Sequence, residues 1–194
     1  MLRTILNSTL AFWTLLAVPA VPMLVGLATS AADPADLLHP SGETSARLMI
    51  AAMMLGPLAA VIGPRSWLRW LMARRRYLGV AAFAYALLHL VFYVIDMGTL
   101  ADMLAELGAT GIWTGWAALA LMVPLALTSN DAAMRALKAG WKRVQRLAYL
   151  AALMLLLHWV FVHNNAAAAL IHFAPLALLH LIRRFRPQQK GYAT

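Results

Sequence analysis

The chain has 194 residues, of which 63% are hydrophobic and only 12% charged, and its mean hydropathy is +0.74. That composition marks an integral membrane protein and leaves little mass for a soluble domain. The absence of cysteine excludes disulfides, thiolate catalysis and Cys-ligated zinc or iron–sulfur centres. A net charge of +9 would suggest nucleic acid in a soluble protein. Here membrane topology accounts for it, and no nucleic-acid partner is expected.

The hydrophobic pattern predicts one all-α domain over residues 1–194, a six-helix bundle in the lipid bilayer. The first span covers 10–29. Arg3 and the small residues at 28–32 imitate a signal peptide, but the apolar stretch is too long for one, so an uncleaved first span is expected. Pro19 and Pro22 should kink it. The second span covers 46–64 and the third 77–97, joined by a loop with Arg65, Arg69, Arg74, Arg75 and Arg76. The fourth covers 111–128 and the fifth 147–163, joined by a loop with Arg135, Lys138, Lys142, Arg143 and Arg146. The sixth covers 166–183 and leads into Arg183, Arg184, Arg186 and Lys190.

Of the 16 basic residues, all but Arg47 therefore fall on one side. Asp33, Asp36, Glu43, Asp96, Asp102 and Glu106 fall on the other, with Asp131 the exception. The positive-inside rule then places both termini in the cytoplasm. No Walker or GxGxxG pattern occurs, so whatever reduces or drives the protein is another molecule.

Two histidines carry the chemistry. His89 follows Arg76 by 13 residues and His158 follows Arg146 by 12, in spans that run in the same direction. At about 1.5 Å rise per residue, both imidazoles stand roughly 18–20 Å from the same membrane surface. Ionisable side chains at such depth are costly and usually functional. Two facing imidazoles at one height can hold a haem iron from both sides, which leaves no open iron position and suits electron transfer. On spacing alone, two separately hydrogen-bonded histidines remain an equal alternative. A zinc or copper site lacks a third intramembrane ligand nearby in sequence.

His172 is a candidate haem contact near the outer end of the sixth span, and His180 a candidate ligand for a second haem near the inner end. A packing histidine and a snorkelling interfacial one are the plainer readings of the two. His39 and His163 are expected in solvated outer loops or at their edges. Arg47 breaks the charge rule, and either a haem propionate or Glu43 one turn earlier would account for it.

The chain resembles the ferric-reductase-like transmembrane superfamily over about residues 33–185. The likeness rests on His39-Pro40-Ser41-Gly42 with Ala46-Arg47-Leu48 and Gly56-Pro57-Leu58; on Arg75-Arg76-Tyr77-Leu78-Gly79 with Tyr85 and Leu88-His89; and on Leu127-Thr128-Ser129-Asn130 with Trp141-Lys142-Arg143, Tyr149 and His158-Trp159. Within the superfamily it is most similar to the MsrQ family. These are haem-b subunits of bacterial inner membranes that pass electrons to a periplasmic MsrP-type oxidoreductase repairing oxidised methionine.

The resemblance implies that His89 and His158 are the axial ligands of haem b. Family members commonly carry another histidine thirteen residues before the fifth-span ligand, where this chain has Gln145. That departure puts a second haem in doubt unless His180 substitutes. It also favours a membrane quinol as donor over a cytoplasmic flavin reductase, whose electron would face a long gap. Flavin mononucleotide (FMN) is linked to the family, but no residue here identifies its site. A stand-alone ferric or cupric reductase and a haem-silent accessory subunit are the alternative functions.

Overall fold

The computed structural model describes residues 8–63, 65–163 and 166–185, so the calls on Arg3, Arg186 and Lys190 lie outside the described residues. Within them all regular structure is helical: α1 (Thr9–Ala17), α2 (Ala20–Ala28), α3 (Pro34–Ile62), α4 (Ser66–Met97), α5 (Leu100–Glu106), α6 (Thr110–Leu127), α7 (Asp131–Leu137), α8 (Ala139–Gln145), α9 (Leu147–His163) and α10 (Ala166–Phe185). Five helical segments are long and apolar enough to cross a membrane, and α1 with α2 make a sixth if that bent pair is one span. This is a multi-pass membrane protein.

The expected kink is a 50° bend between α1 and α2. Pro19 and Pro22 have no N–H for the carbonyls of Leu15 and Val18. The chain tightens there instead: Val18 N reaches Leu15 O at 3.4 Å, and Val21 N reaches Val18 O at 3.2 Å. Tyr85 of α4 donates its hydroxyl to the Leu16 carbonyl at 2.8 Å and ties the bend to the bundle. Tyr85→Phe should lower stability by about 1 kcal/mol. Thermal unfolding in detergent measures it, and an unchanged midpoint would show that the bend holds itself.

Two boundaries differ from the sequence expectation. Helix α3 starts at Pro34 rather than 46, and α4 at Ser66 rather than 77. The bilayer sets the length of an apolar stretch, not of a helix, so polar turns can extend beyond it. Pro34 at the first helical position and Asp36 in the first turn suit a helix N-terminus. Ser41 and Thr44 return their hydroxyls to the carbonyls of Leu37 and Pro40 at 2.7 Å each. Gly63 and Gly98 close these helices at φ +78° and +70°, where a side chain would be strained. Arg74, Arg75 and Arg76 thus lie on a helix, and Arg76 pairs with Asp131, the acid that broke the charge pattern.

Helix α3 packs along α4, α9 along α6, and α10 against α3. Lipid tails are as apolar as leucine, so close helix approach must come from small residues and interhelical hydrogen bonds. Ala46, Ala82, Ala151 and Ala169 are fully buried at these contacts. Ser45 of α3 donates to the Ala82 carbonyl of α4 at 2.8 Å. Larger apolar side chains such as Leu10, Leu15, Leu170 and Ile171 are exposed, as lipid-facing positions should be.

Candidate cofactor-binding site

His89 on α4 and His158 on α9 meet between the two helix pairs. Their ring centroids are 6.1 Å apart and their planes 85° to one another. A metal–imidazole bond is about 2 Å and the nitrogen sits roughly 1.1 Å from the ring centre, so two rings on opposite sides of one ion stand about 6 Å apart. Rotation about the ligation axis leaves that distance unchanged. The observed spacing matches that distance.

Each ring is held from behind by a backbone carbonyl. His89 Nδ1 donates to Leu38 O at 2.9 Å, with Ser41 Oγ 3.3 Å away. His158 Nδ1 donates to Gly111 O at 2.7 Å. An imidazole protonated on Nδ1 carries its lone pair on Nε2, the tautomer a metal requires, and metal-binding histidines are usually fixed in this way. Neither carbonyl partner was identified from the sequence, because each comes from a helix remote in the chain.

Two glycines make room for the rings. A Cβ at Gly42 would lie 3.1 Å from His89 Nδ1, and one at Gly115 would lie 2.7 Å from His158 Nδ1. Gly42 was legible only as part of a family motif, and Gly115 carried no signal. The rings border an open cleft of about 110 Å³, whose wall includes Ala86, Leu119, Met122 and Leu155. Two imidazoles with Nδ1 bonded to a carbonyl, at the edge of an apolar cleft, are a donor set that suits haem iron. Among the described residues no three His, Cys, Asp or Glu side chains converge as metal ligands.

The remaining candidates divide. His39, expected to be solvated in an outer loop or at its edge, is half-exposed but sits on α3, where it also lines the cleft, its ring 6.4 Å from that of Trp159. The correction follows from the early start of α3. Trp159, overlooked as a site residue, is buried and forms part of the cleft wall. Arg47 takes the plainer of its two partners, bonding Glu43 Oε1 at 2.7 Å. His172 stacks on Trp159 at 4.8 Å and faces Arg47 Nε at 3.4 Å. Neither Arg47 nor His172 is among the residues lining the cleft. The side chain of His163 lies outside the described residues.

His180 follows His172 by eight residues on α10, about 12 Å along the helix axis. Its ring packs on Tyr149 at 5.5 Å, and its Nε2 is buried without a hydrogen bond. Gln145 spends its amide on the end of α6, donating to Thr128 Oγ1 at 3.0 Å and to Leu125 O at 3.3 Å. The basic end therefore offers one imidazole where the acid-rich end offers a facing pair.

Known proteins similar to this chain identify its family. Residues 41–157 match the family described as ferric reductase like transmembrane component. The chain is 34% identical over 153 residues to the "Protein-methionine-sulfoxide reductase heme-binding subunit MsrQ" of Xanthomonas oryzae pv. oryzae, covering 76% of this chain and 68% of the relative. Proteins of the same description in Xanthomonas campestris pv. campestris and Brucella ovis are 35% and 34% identical, covering 76% and 80% of the chain and 68% and 71% of their own lengths. No solved structure matches. The chain belongs to the ferric-reductase-like transmembrane family, in its MsrQ group.

Proposed function

We propose that the protein is the haem-binding membrane subunit of a methionine-sulfoxide reductase system, holding one b-type haem between His89 and His158. The observation that carries this reading is the pairing of the two rings: 6.1 Å between ring centroids, with each Nδ1 donating to a carbonyl. A haem held by His89 and His158 would supply one-electron exchange between ferric and ferrous iron. The chain's own part is to orient the two rings and surround the cofactor with apolar wall.

In this reading the chain makes six spans in a bacterial inner membrane with both termini cytoplasmic, and the acid-rich end of the bundle faces the periplasm. The acceptor is a periplasmic oxidoreductase of the MsrP type; the relatives' descriptions support the coarser statement, that they serve a protein-methionine-sulfoxide reductase. The donor is a membrane quinol. An electron entering from the basic end would pass Gln145 and a lone His180 rather than a second axial pair.

One haem per chain is the expected content of the purified protein, measured by a reduced-minus-oxidised spectrum with haem quantified against protein. Two haems would assign a ligand role to His180. An absent Soret band would leave an accessory subunit without redox function. For the donor, rapid haem reduction by a soluble flavin reductase in quinone-free membranes would overturn the quinol assignment.

A further inference from the structure

Glu43 is the sole carboxylate among the described residues lining the cleft, and its side chain is only 20% exposed. It gathers cationic and ionisable groups from two helices. Oε1 bonds Arg47 Nη2 at 2.7 Å and lies 3.5 Å from His172 Nε2 on α10, while Oε2 lies 3.9 Å from His39 Nε2. Trp159 fills the space between, edge-on to His39 and tilted against His172, one residue after the proposed ligand His158.

The ionisable groups around the cleft can be named element by element. Helix α3 brings His39, Glu43 and Arg47, and α10 brings His172. Helix α4 brings His89 and Tyr93, whose hydroxyl donates to Glu106 of α5 at 3.3 Å. Helix α9 brings His158, and the wall residues of α6 are not ionisable.

We infer that Glu43, His39 and His172 form a redox-linked proton-binding site, taking up one proton from the acid-rich side when an electron enters the cleft. The inference rests on the bis-histidine haem reading. An added electron in a low-dielectric cleft is repelled by the fixed charge of Glu43, and a proton on a neighbouring group offsets it. Arg47 keeps its own charge throughout and holds Glu43 as an anion. The imidazoles take the proton because each Nε2 faces a Glu43 oxygen, at 3.9 Å for His39 and 3.5 Å for His172, and that anion favours a charged ring. In balance, ferric iron, one electron and one external proton become ferrous iron and a protonated cluster. Reoxidation returns both.

The test is spectroelectrochemical titration of the haem-loaded full chain in lipid nanodiscs between about pH 5 and 8. The wild-type midpoint should fall with rising pH, approaching about 59 mV per pH unit for one proton per electron. Glu43→Gln should raise the midpoint and flatten the slope to less than half. The double variant His39→Gln/His172→Gln should flatten it as well, and it decides the matter if Glu43→Gln fails to retain haem. A flat wild-type line overturns the proposal. So does an undiminished slope in the variants, which would place the proton on the haem's own carboxylates. If haem is retained when both His89 and His158 are replaced, the underlying ligand assignment fails instead, whatever the slopes show.

Discussion

His89→Ala and His158→Ala are each expected to eliminate the Soret band, with no stoichiometric haem recovered with the protein. Losing a group that merely supports a metal ligand typically costs about 10–100-fold in affinity. Losing the ligand itself costs more. His39 and His172 engage Glu43 at the acid-rich end, and His180 lies on α10 towards the basic end. His172→Ala and His180→Ala should accordingly keep their haem. Spectra with haem quantified per chain in all four variants settle the point. A Soret band of wild-type size in either His89→Ala or His158→Ala would remove that residue from the ligand pair.

Gly115→Ala is the second change expected to have a large effect, although it touches no ligand atom's chemistry. The new methyl would lie 2.7 Å from His158 Nδ1 and 2.8 Å from Cε1. The ring cannot retreat freely, because it sits on a helix packed against α6 and donates to Gly111 O. Either that hydrogen bond breaks or the ring shifts relative to His89. Haem affinity should fall by about 10–100-fold, as for loss of a partner that orients a metal-bound histidine. Gly42→Ala meets His89 at 3.1 Å and should be milder. Haem titration of the apoprotein measures both. Equal, wild-type affinities would mean that the rings have room the static geometry does not show.

Much of this was legible without coordinates. The apolar runs, the one-sided distribution of arginine and lysine, and the common depth of His89 and His158 all lie in one dimension. Bilayer thickness and helix rise translate them directly into spans and heights. The kink at Pro19 was readable for the same local reason, a missing N–H. What the linear chain hid were the contacts between elements. His39 looked like a loop residue because the helix extends past the apolar stretch that betrays it. Arg47 offered two partners on paper, and only the packing of α10 against α3 shows it within a cluster of Glu43 and His172 rather than on the cleft wall.

The sequence by itself determined the class, the apolar stretches that could cross a membrane and the two histidines worth pairing, because hydrophobicity and periodicity are local properties. Tertiary structure decided what those histidines can do. The 6.1 Å between the rings, the carbonyls of Leu38 and Gly111 behind them and the space left by Gly42 and Gly115 depend on how α3, α4, α6 and α9 cross. Crossing is set by side-chain volume and backbone approach between residues dozens of positions apart, and no local pattern encodes it.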